Sequence, residues 1–283
     1  MTSRRVRRLE YLALSIVVTA LIGIFTLTPI YWLVVMSLQP FTVSGIIFPF
    51  QYYPLHPTLN NYFTIIGGSY AFLIPLRNSI IVSSSVMALA LTIAPLSAYA
   101  IARLRFKYKV QSLFLLMIGG MVPAIVTIAP TYVLLRAVGL VPSLLAMIIP
   151  NVFYSQPLCV FLLTTYFCAL PFELEDAAKM DGYTPLQTFW RVILPISTPG
   201  LFSAGIFSFL GSYGEFMLAS VVTEGYMNVA TVPIGVLRFS QSVGLQWTRV
   251  SAAIMLSLIP VIVIVLVFQK WVIRGLSAGS VKY

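Results

Sequence analysis

Of the seven acidic residues in the chain, Glu173, Glu175, Asp176 and Asp181 fall in one stretch, ELEDAAKMDGYTPLQTFWRVILP (Glu173–Pro195). Residue types narrow the chemistry open to them. His56 is the sole histidine, which excludes a multi-histidine metal site. No cluster of catalytic His, Asp and Glu gathers in one compartment, and no GxxxxGK[ST] phosphate loop occurs. The two cysteines, Cys159 and Cys168, sit on one expected helix about 13 Å apart at ~1.5 Å rise per residue. That is beyond disulfide reach, so they read as buried thiols. What remains for the acids is recognition by charge.

The stretch itself reads as two short helices. Pro171 suits a first turn, where its missing N–H has no partner. Glu173, Glu175 and Asp176 then complement the positive end of the helix dipole. Lys179 follows Glu175 by four positions and Asp176 by three, both favourable pairings. Gly182 stops the helix, since glycine accepts the left-handed conformation. Thr184 and Pro185 read as N-cap and first position of a second helix, with Leu186, Phe189, Trp190 and Ile193 on one apolar face. The first helix presents its acids on one side and Leu174, Ala177 and Ala178 on another. Four acids beside an anionic lipid surface would be repelled, so a protein partner fits better than the headgroups.

The elements that must position this unit follow from composition. The chain of 283 residues is 59% hydrophobic and only 8% charged, against about 25% in soluble domains. Lipid must therefore be the solvent for most of it. Continuous apolar runs long enough for the ~20 residues of a spanning helix predict six transmembrane helices. They lie near Tyr11–Val35, Leu76–Ala102, Ser112–Leu134, Leu144–Cys168, Leu201–Val222 and Val250–Trp271. The fold class is all-α membrane protein, with the acidic helix–turn–helix between the fourth and fifth spans.

The net charge of +10 does not indicate nucleic acid. Apart from Arg77, Arg136, Arg238 and Arg249, every basic residue falls on one side when the N-terminus starts inside. That is the positive-inside pattern. It places both termini and the acidic stretch in the cytoplasm. The apolar run after Arg4–Arg8 is too long for a signal h-region and reads as a retained first helix. Pro40, Pro49, Pro54 and Pro57 mark a first external loop, near Ser37–Pro75, as a surface-hugging or partner-docking segment. Ser83, Ser84, Ser85 and Ala88 suggest close helix contacts, and Glu215, ionisable within a span, is a functional candidate.

At the acidic stretch the chain resembles a known family. DAAKMDG (Asp176–Gly182) followed by FWRVILPISTPGL (Phe189–Leu201) is similar to the EAA loop of permease subunits in binding-protein-dependent ABC importers. In that family the loop is a coupling helix that docks on the ATPase. The resemblance implies that Glu175, Asp176, Ala177, Ala178, Asp181 and Gly182 couple to the ATPase here. Asp176 stands where the family usually has Glu, a shortening that Glu175 offsets in part. MVPAIVTIAPTYVLLRAVGLVPSLLAMIIP (Met121–Pro150), HPTLNNYFTI and RNSIIVSS resemble the carbohydrate branch, of maltose and trehalose type with a MetI-like fold. FQKWVIRGLSAGSVKY (Phe268–Tyr283) resembles its C-terminal tail, which implies an ATPase contact through Gln269, Lys270, Gly279 and Lys282. Where that branch often has W-N-E-F-L-L-A, this chain has YGEFMLA (Tyr213–Ala219), which suggests Tyr213 and Glu215 for the translocation path.

The resemblance implies a non-enzymatic permease subunit that binds no cofactor, with ATP and Mg on a partner ATPase dimer. It also implies a second permease subunit, an external solute-binding protein, and a sugar as solute. The expected organisation is 1–71 for the N-terminus, first span and external loop, 72–272 for the importer transmembrane domain, and 273–283 for a cytoplasmic tail. The alternatives are a carrier driven by an ion gradient, which would want intramembrane carboxylates or broken repeat helices, and an ABC importer of a non-sugar solute such as glycerol phosphate.

Overall fold

Backbone groups in hydrocarbon must find their partners inside the segment, and this chain does so with helices. The computed structural model describes residues 2–41, 52–68, 71–241 and 246–278, and every regular element among them is helical. Besides a 3-10 turn at Met227–Val229 they are, in order, α1 (Thr2–Leu38), α2 (Asn60–Gly67), α3 (Leu73–Arg103), α4 (Lys109–Met121), α5 (Ala124–Ala137), α6 (Leu145–Ala169) and α7 (Glu173–Met180), then α8 (Pro185–Ile196), α9 (Thr198–Tyr213), α10 (Met217–Val222), α11 (Val232–Gln241) and α12 (Trp247–Ala278).

Four helices are long and apolar enough to cross a membrane: Tyr11–Leu38, Leu73–Arg103, Leu145–Ala169 and Trp247–Trp271. Six spans are reached if each of two bent pairs counts as one. The expected continuous third span, Ser112–Leu134, is instead α4 and α5 meeting at 88°. Val122 before Pro123 adopts extended geometry, φ −65° and ψ 121°. The proline ring disfavours the helical conformation of its predecessor, which makes this the easiest place in the segment to break. The expected fifth span, Leu201–Val222, is also interrupted, because α9 stops at Tyr213 and α10 begins at Met217. At its N-terminal end α9 meets α8 at 78°. The last helix runs past the expected Trp271 to Ala278.

The described helices fall into two compact units. One comprises Met1–Ala71 with Val236–Ser257. In it the carbonyls left open at the end of α1 are taken by Asn61, whose Nδ2 donates to Ser37 O at 2.9 Å and Gln39 O at 2.8 Å. The loop after the first span thus contains a helix, α2, that is tied to α1. Residues 42–51 of that loop, with Pro49, lie outside the described residues.

The other unit comprises Phe72–Gly235 with Leu258–Tyr283. Its centre is α3, where Ala90, Ala94, Ala98 and Ala102 form a buried stripe at four-residue spacing. Small side chains let neighbouring backbones approach, and Cys159, Val160, Leu163 and Phe167 of α6 and Ala204 of α9 share that cluster. Of the earlier serine-rich contact candidates only Ser83 is fully buried, while Ser84 and Ala88 are exposed. At the other end of α3, Asn78 Nδ2 donates to the carbonyls of Asn228 and Ala230, both at 2.9 Å. Ser79 Oγ accepts from Val232 N at 2.8 Å. These bonds fix the connection between α10 and α11.

Candidate coupling surface

The acidic stretch folds as its local signals require. Glu173, Glu175 and Asp176 occupy the first turn of α7 and Lys179 its last. The helix closes with a Schellman motif: Tyr183 N donates to Ala178 O at 2.9 Å and Gly182 N to Lys179 O at 3.0 Å. Gly182 has φ +80°, a conformation that costs other residues a Cβ clash. Thr184 then opens α8 with a capping box, its hydroxyl accepting from Gln187 N while Gln187 Oε1 accepts from Thr184 N. Two short helices joined by one tight turn result.

Their faces divide differently from the sequence expectation. At 100° per residue Glu175 and Ala178 share one side of α7, and both are buried. Glu173, Asp176, Ala177, Met180, Asp181 and Gly182 are exposed. The alanine pair is therefore split, and one acid leaves the group. Asp176 keeps the pairing with Lys179, Oδ1 to Nζ at 2.9 Å, on the open surface. In α8, Phe189 and Ile193 are buried whereas Leu186 and Trp190 are exposed. A π-helical turn over Phe189–Ile193 widens the spacing, so the expected single apolar face separates.

Glu175 turns inward because of Arg103, the last residue of α3. Arg103 Nε lies 3.2 Å from Glu175 Oε1, with the side chains 0% and 10% exposed. Arg103 Nη2 donates to Leu170 O, at the end of α6, at 2.7 Å. Its guanidinium stacks 4.3 Å from the centroid of Phe172, just before α7. One side chain thus ties α7 to the C-terminal ends of both central helices, α3 and α6. Arg's planar fork suits this several-partner role. Around it Tyr99 packs on Phe189 at 5.1 Å and edge-on to Phe167 at 6.4 Å. Lys109 Nζ caps α3 through Ala102 O at 3.1 Å.

Arg103 is not among the sequence candidates, because there it stands only as one of the basic residues that set orientation. The available signal was its place at the end of a 31-residue apolar helix.

The remaining candidates lie elsewhere in the chain. Gln269 and Lys270 are exposed on α12, with Lys270 Nζ 4.3 Å from the Trp271 ring centroid. Phe268 and Trp271 stack on Phe202 of α9, at 4.8 and 4.9 Å. Gly279 and Lys282 lie outside the described residues. Tyr213 is buried and stacks on Phe209 at 5.7 Å. Glu215 sits in the break between α9 and α10, where Oε1 accepts from Leu218 N at 2.6 Å and Oε2 from Ala219 N at 3.0 Å. Both oxygens cap a helix. Cys159 is buried but Cys168 is exposed, and both are free thiols.

Comparison with known proteins agrees with this architecture. The chain is 32% identical to the sulfoquinovosyl glycerol transport system permease protein SmoH of Agrobacterium fabrum, over 97% of this chain and 93% of that one. It is 32% identical to the trehalose/maltose transport system permease protein MalG of Thermococcus litoralis, over 95% and 96%. A chain from a bacterial ABC transporter that imports the acidic polysaccharide alginate has the same fold, with TM-score 0.69 and 21% identity over 92% and 96%. Residues 89–278 match the family described as binding-protein-dependent transport system inner membrane component. With that match over most of its length and those relatives over nearly all of it, the chain belongs to this family of ABC importer permease subunits.

Proposed function

We propose that this subunit passes sugars across the cell membrane when a separate ATPase dimer drives the helix pair Glu173–Ile196. The observation that carries the reading is the Arg103 clamp. A lever must be exposed where it is pushed and fixed where it transmits. The outward side of α7 is bare, while Glu175, Phe172 and the end of α6 meet on one buried guanidinium at the end of α3. Behind it Phe189 and Ile193 are buried in the α3–α6 cluster, each worth about 1.5–3 kcal/mol of burial. A push on α7 is therefore delivered to α3 and α6 instead of bending the loop.

In this reading both termini and the helix pair face the cytoplasm. ATP and Mg are held by the ATPase chains, this chain binds no cofactor of its own, and a related permease completes the path. An external solute-binding protein delivers the solute. Sugar is favoured as solute because relatives across nearly the whole chain are named for trehalose/maltose and sulfoquinovosyl glycerol transport. Asp176, Ala177, Asp181 and Gly182 meet the ATPase, and Glu175 and Ala178 hold them in position. Gln269 and Lys270, with Gly279 and Lys282, form a second contact to it. An ion-driven carrier has less support, since the carboxyl oxygens of Glu215 are engaged by backbone N–H groups.

Site-directed crosslinking tests the proposal. Cysteines at Asp176 and Ala177, in a chain lacking Cys159 and Cys168, should trap an ATPase subunit in intact membranes. A cysteine at buried Ala178 should not. Failure of both exposed positions to capture an ATP-hydrolysing chain would sink the lever.

A further inference from the structure

No Asp, Glu, Lys or Arg occurs between Glu10 and Arg77, so the connection from α1 to α3 is as free of charge as the span before it. Connections normally run over a solvated surface. One without charge needs another solvent.

The described part of this connection is bound to α1. Thr58 N donates to Leu38 O and Tyr62 Oη to Ser37 Oγ, each at 2.8 Å, at the end of that helix. Tyr31 Oη donates to Tyr52 O at 2.5 Å, and Tyr31 stands about 10 Å before Leu38 at ~1.5 Å per residue. The chain has therefore folded back along the flank of α1. The apolar length of α1, Tyr11–Leu38, has 28 residues, which is about 42 Å of helix against ~40–45 Å of bilayer with headgroups. Seated centrally, it ends at the outer edge of the headgroups. That layer is only about 5–7 Å deep on each side, so Tyr52 is held at the boundary of the hydrocarbon.

Helix α2 carries three faces. Asn61 and Ile65 are buried, and Asn61 spends its amide on the last carbonyls of α1. Leu59, Phe63 and Ile66, at four- and three-residue spacing, form an exposed apolar stripe. Asn60 and Thr64 share a third side. Polar groups thus turn inward while apolar ones turn outward, beside Tyr52 and Tyr53 at 70% and 65% exposure. Exposed apolar patches mark contact with protein or membrane. The fold-back favours membrane, because a soluble partner does not reach the hydrocarbon boundary. Tyrosine is also the residue enriched at that depth.

We infer that residues 52–66 are a lipid-facing anchor at the membrane interface. Tyr52 and Tyr53 sit at the hydrocarbon boundary, and Leu59, Phe63 and Ile66 lie on the headgroup layer. Lacking charge, the anchor takes zwitterionic and anionic lipids alike. It requires that α1 crosses the membrane and is independent of the solute carried.

The test uses the complete importer, this chain with its partner permease and ATPase, freed of native cysteines and placed in phosphatidylcholine vesicles with or without phosphatidylglycerol. Nitroxide labels are attached singly to Tyr53→Cys, Leu59→Cys, Phe63→Cys and Ile66→Cys, and to Asn60→Cys and Thr64→Cys on the polar side. The ratio of oxygen to nickel-chelate accessibility should be at least threefold higher at the first four, with either lipid. An equal ratio at all six, in labelled chains that still import solute, overturns the anchor. Shielding of the apolar positions from both reagents also overturns it, since that marks a covering protein. Because a label can disturb a helix of 8 residues, the unmutated importer is also irradiated with phosphatidylcholine carrying a diazirine near its ester. Lipid adducts are expected on the peptide 52–66. Their absence there, when α1 itself is labelled, overturns the anchor.

Discussion

Arg103 and Glu175, separated by 72 positions, form an ion pair at 3.2 Å with both side chains almost wholly withdrawn from solvent. Breaking such a pair from one side strands a buried charge and costs about 3–5 kcal/mol, whereas replacing both with apolar residues is often neutral. Arg103→Ala should therefore lower the unfolding temperature of the purified complex and cut solute uptake at least tenfold. Arg103→Met combined with Glu175→Leu should recover most of the thermal stability while uptake stays low, because the Leu170 bond and the link to α3 remain lost. Uptake restored together with stability would show that Arg103 only holds the fold.

The neighbouring pair predicts the reverse. Lys179 and Asp176 meet at 2.9 Å but are 64% and 70% exposed, and exposed pairs contribute roughly 0–1 kcal/mol. Lys179→Ala should leave thermal stability within about 1 kcal/mol of wild type. Asp176→Lys should do the same for the isolated subunit, yet impair ATPase capture, measured by co-purification, at least tenfold. A charge reversal that leaves capture intact removes Asp176 from the contact.

What the sequence disclosed differs between these two pairs for a physical reason. Local signals act within a few residues, so the turn at Gly182, the cap at Thr184 and the Lys179–Asp176 pairing were legible. The inward turn of Glu175 depends on an arginine that arrives only when α3 packs on α6, and no local rule contains it. Prolines show the same limit. Pro95, Pro130, Pro150 and Pro157 sit inside continuous helices, whereas Pro123 ends one. Local restriction is equal at each, and packing decides which bends. The break at Gly214–Phe216 was hidden for a further reason: its cap, Glu215, reads as a charge in a span until its backbone partners are seen.

Gly182 offers a graded test of the turn. Nothing lies within 4 Å of a Cβ built there, so the penalty comes from φ +80° alone. Left-handed geometry costs ordinary residues about 1–2 kcal/mol and spares asparagine. Coupling, read as solute imported per ATP hydrolysed, should fall in the order Gly182→Asn, Gly182→Ala, Gly182→Val. Normal coupling in Gly182→Val would separate the turn from the lever.

Gly200 tests the first turn of α9 by sterics instead of by backbone geometry. A Cβ there would stand 2.7 Å from Tyr166 Cγ of α6, a distance that forces ring or helix to move. Overpacking of this kind costs typically 1–3 kcal/mol. Gly200 follows the 78° turn from α8 into α9, so displacement there alters how α8 feeds the central helices. Gly200→Ala should lower the unfolding temperature and uptake together. Tyr166→Ala, which opens space beside the added methyl, should restore part of both in the double variant. The coupling energy between the two positions, obtained from a double-mutant cycle, is then favourable and of the order of 1 kcal/mol. Simple additivity of the two losses would place the constraint at Gly200 in its own backbone instead of in the contact with α6.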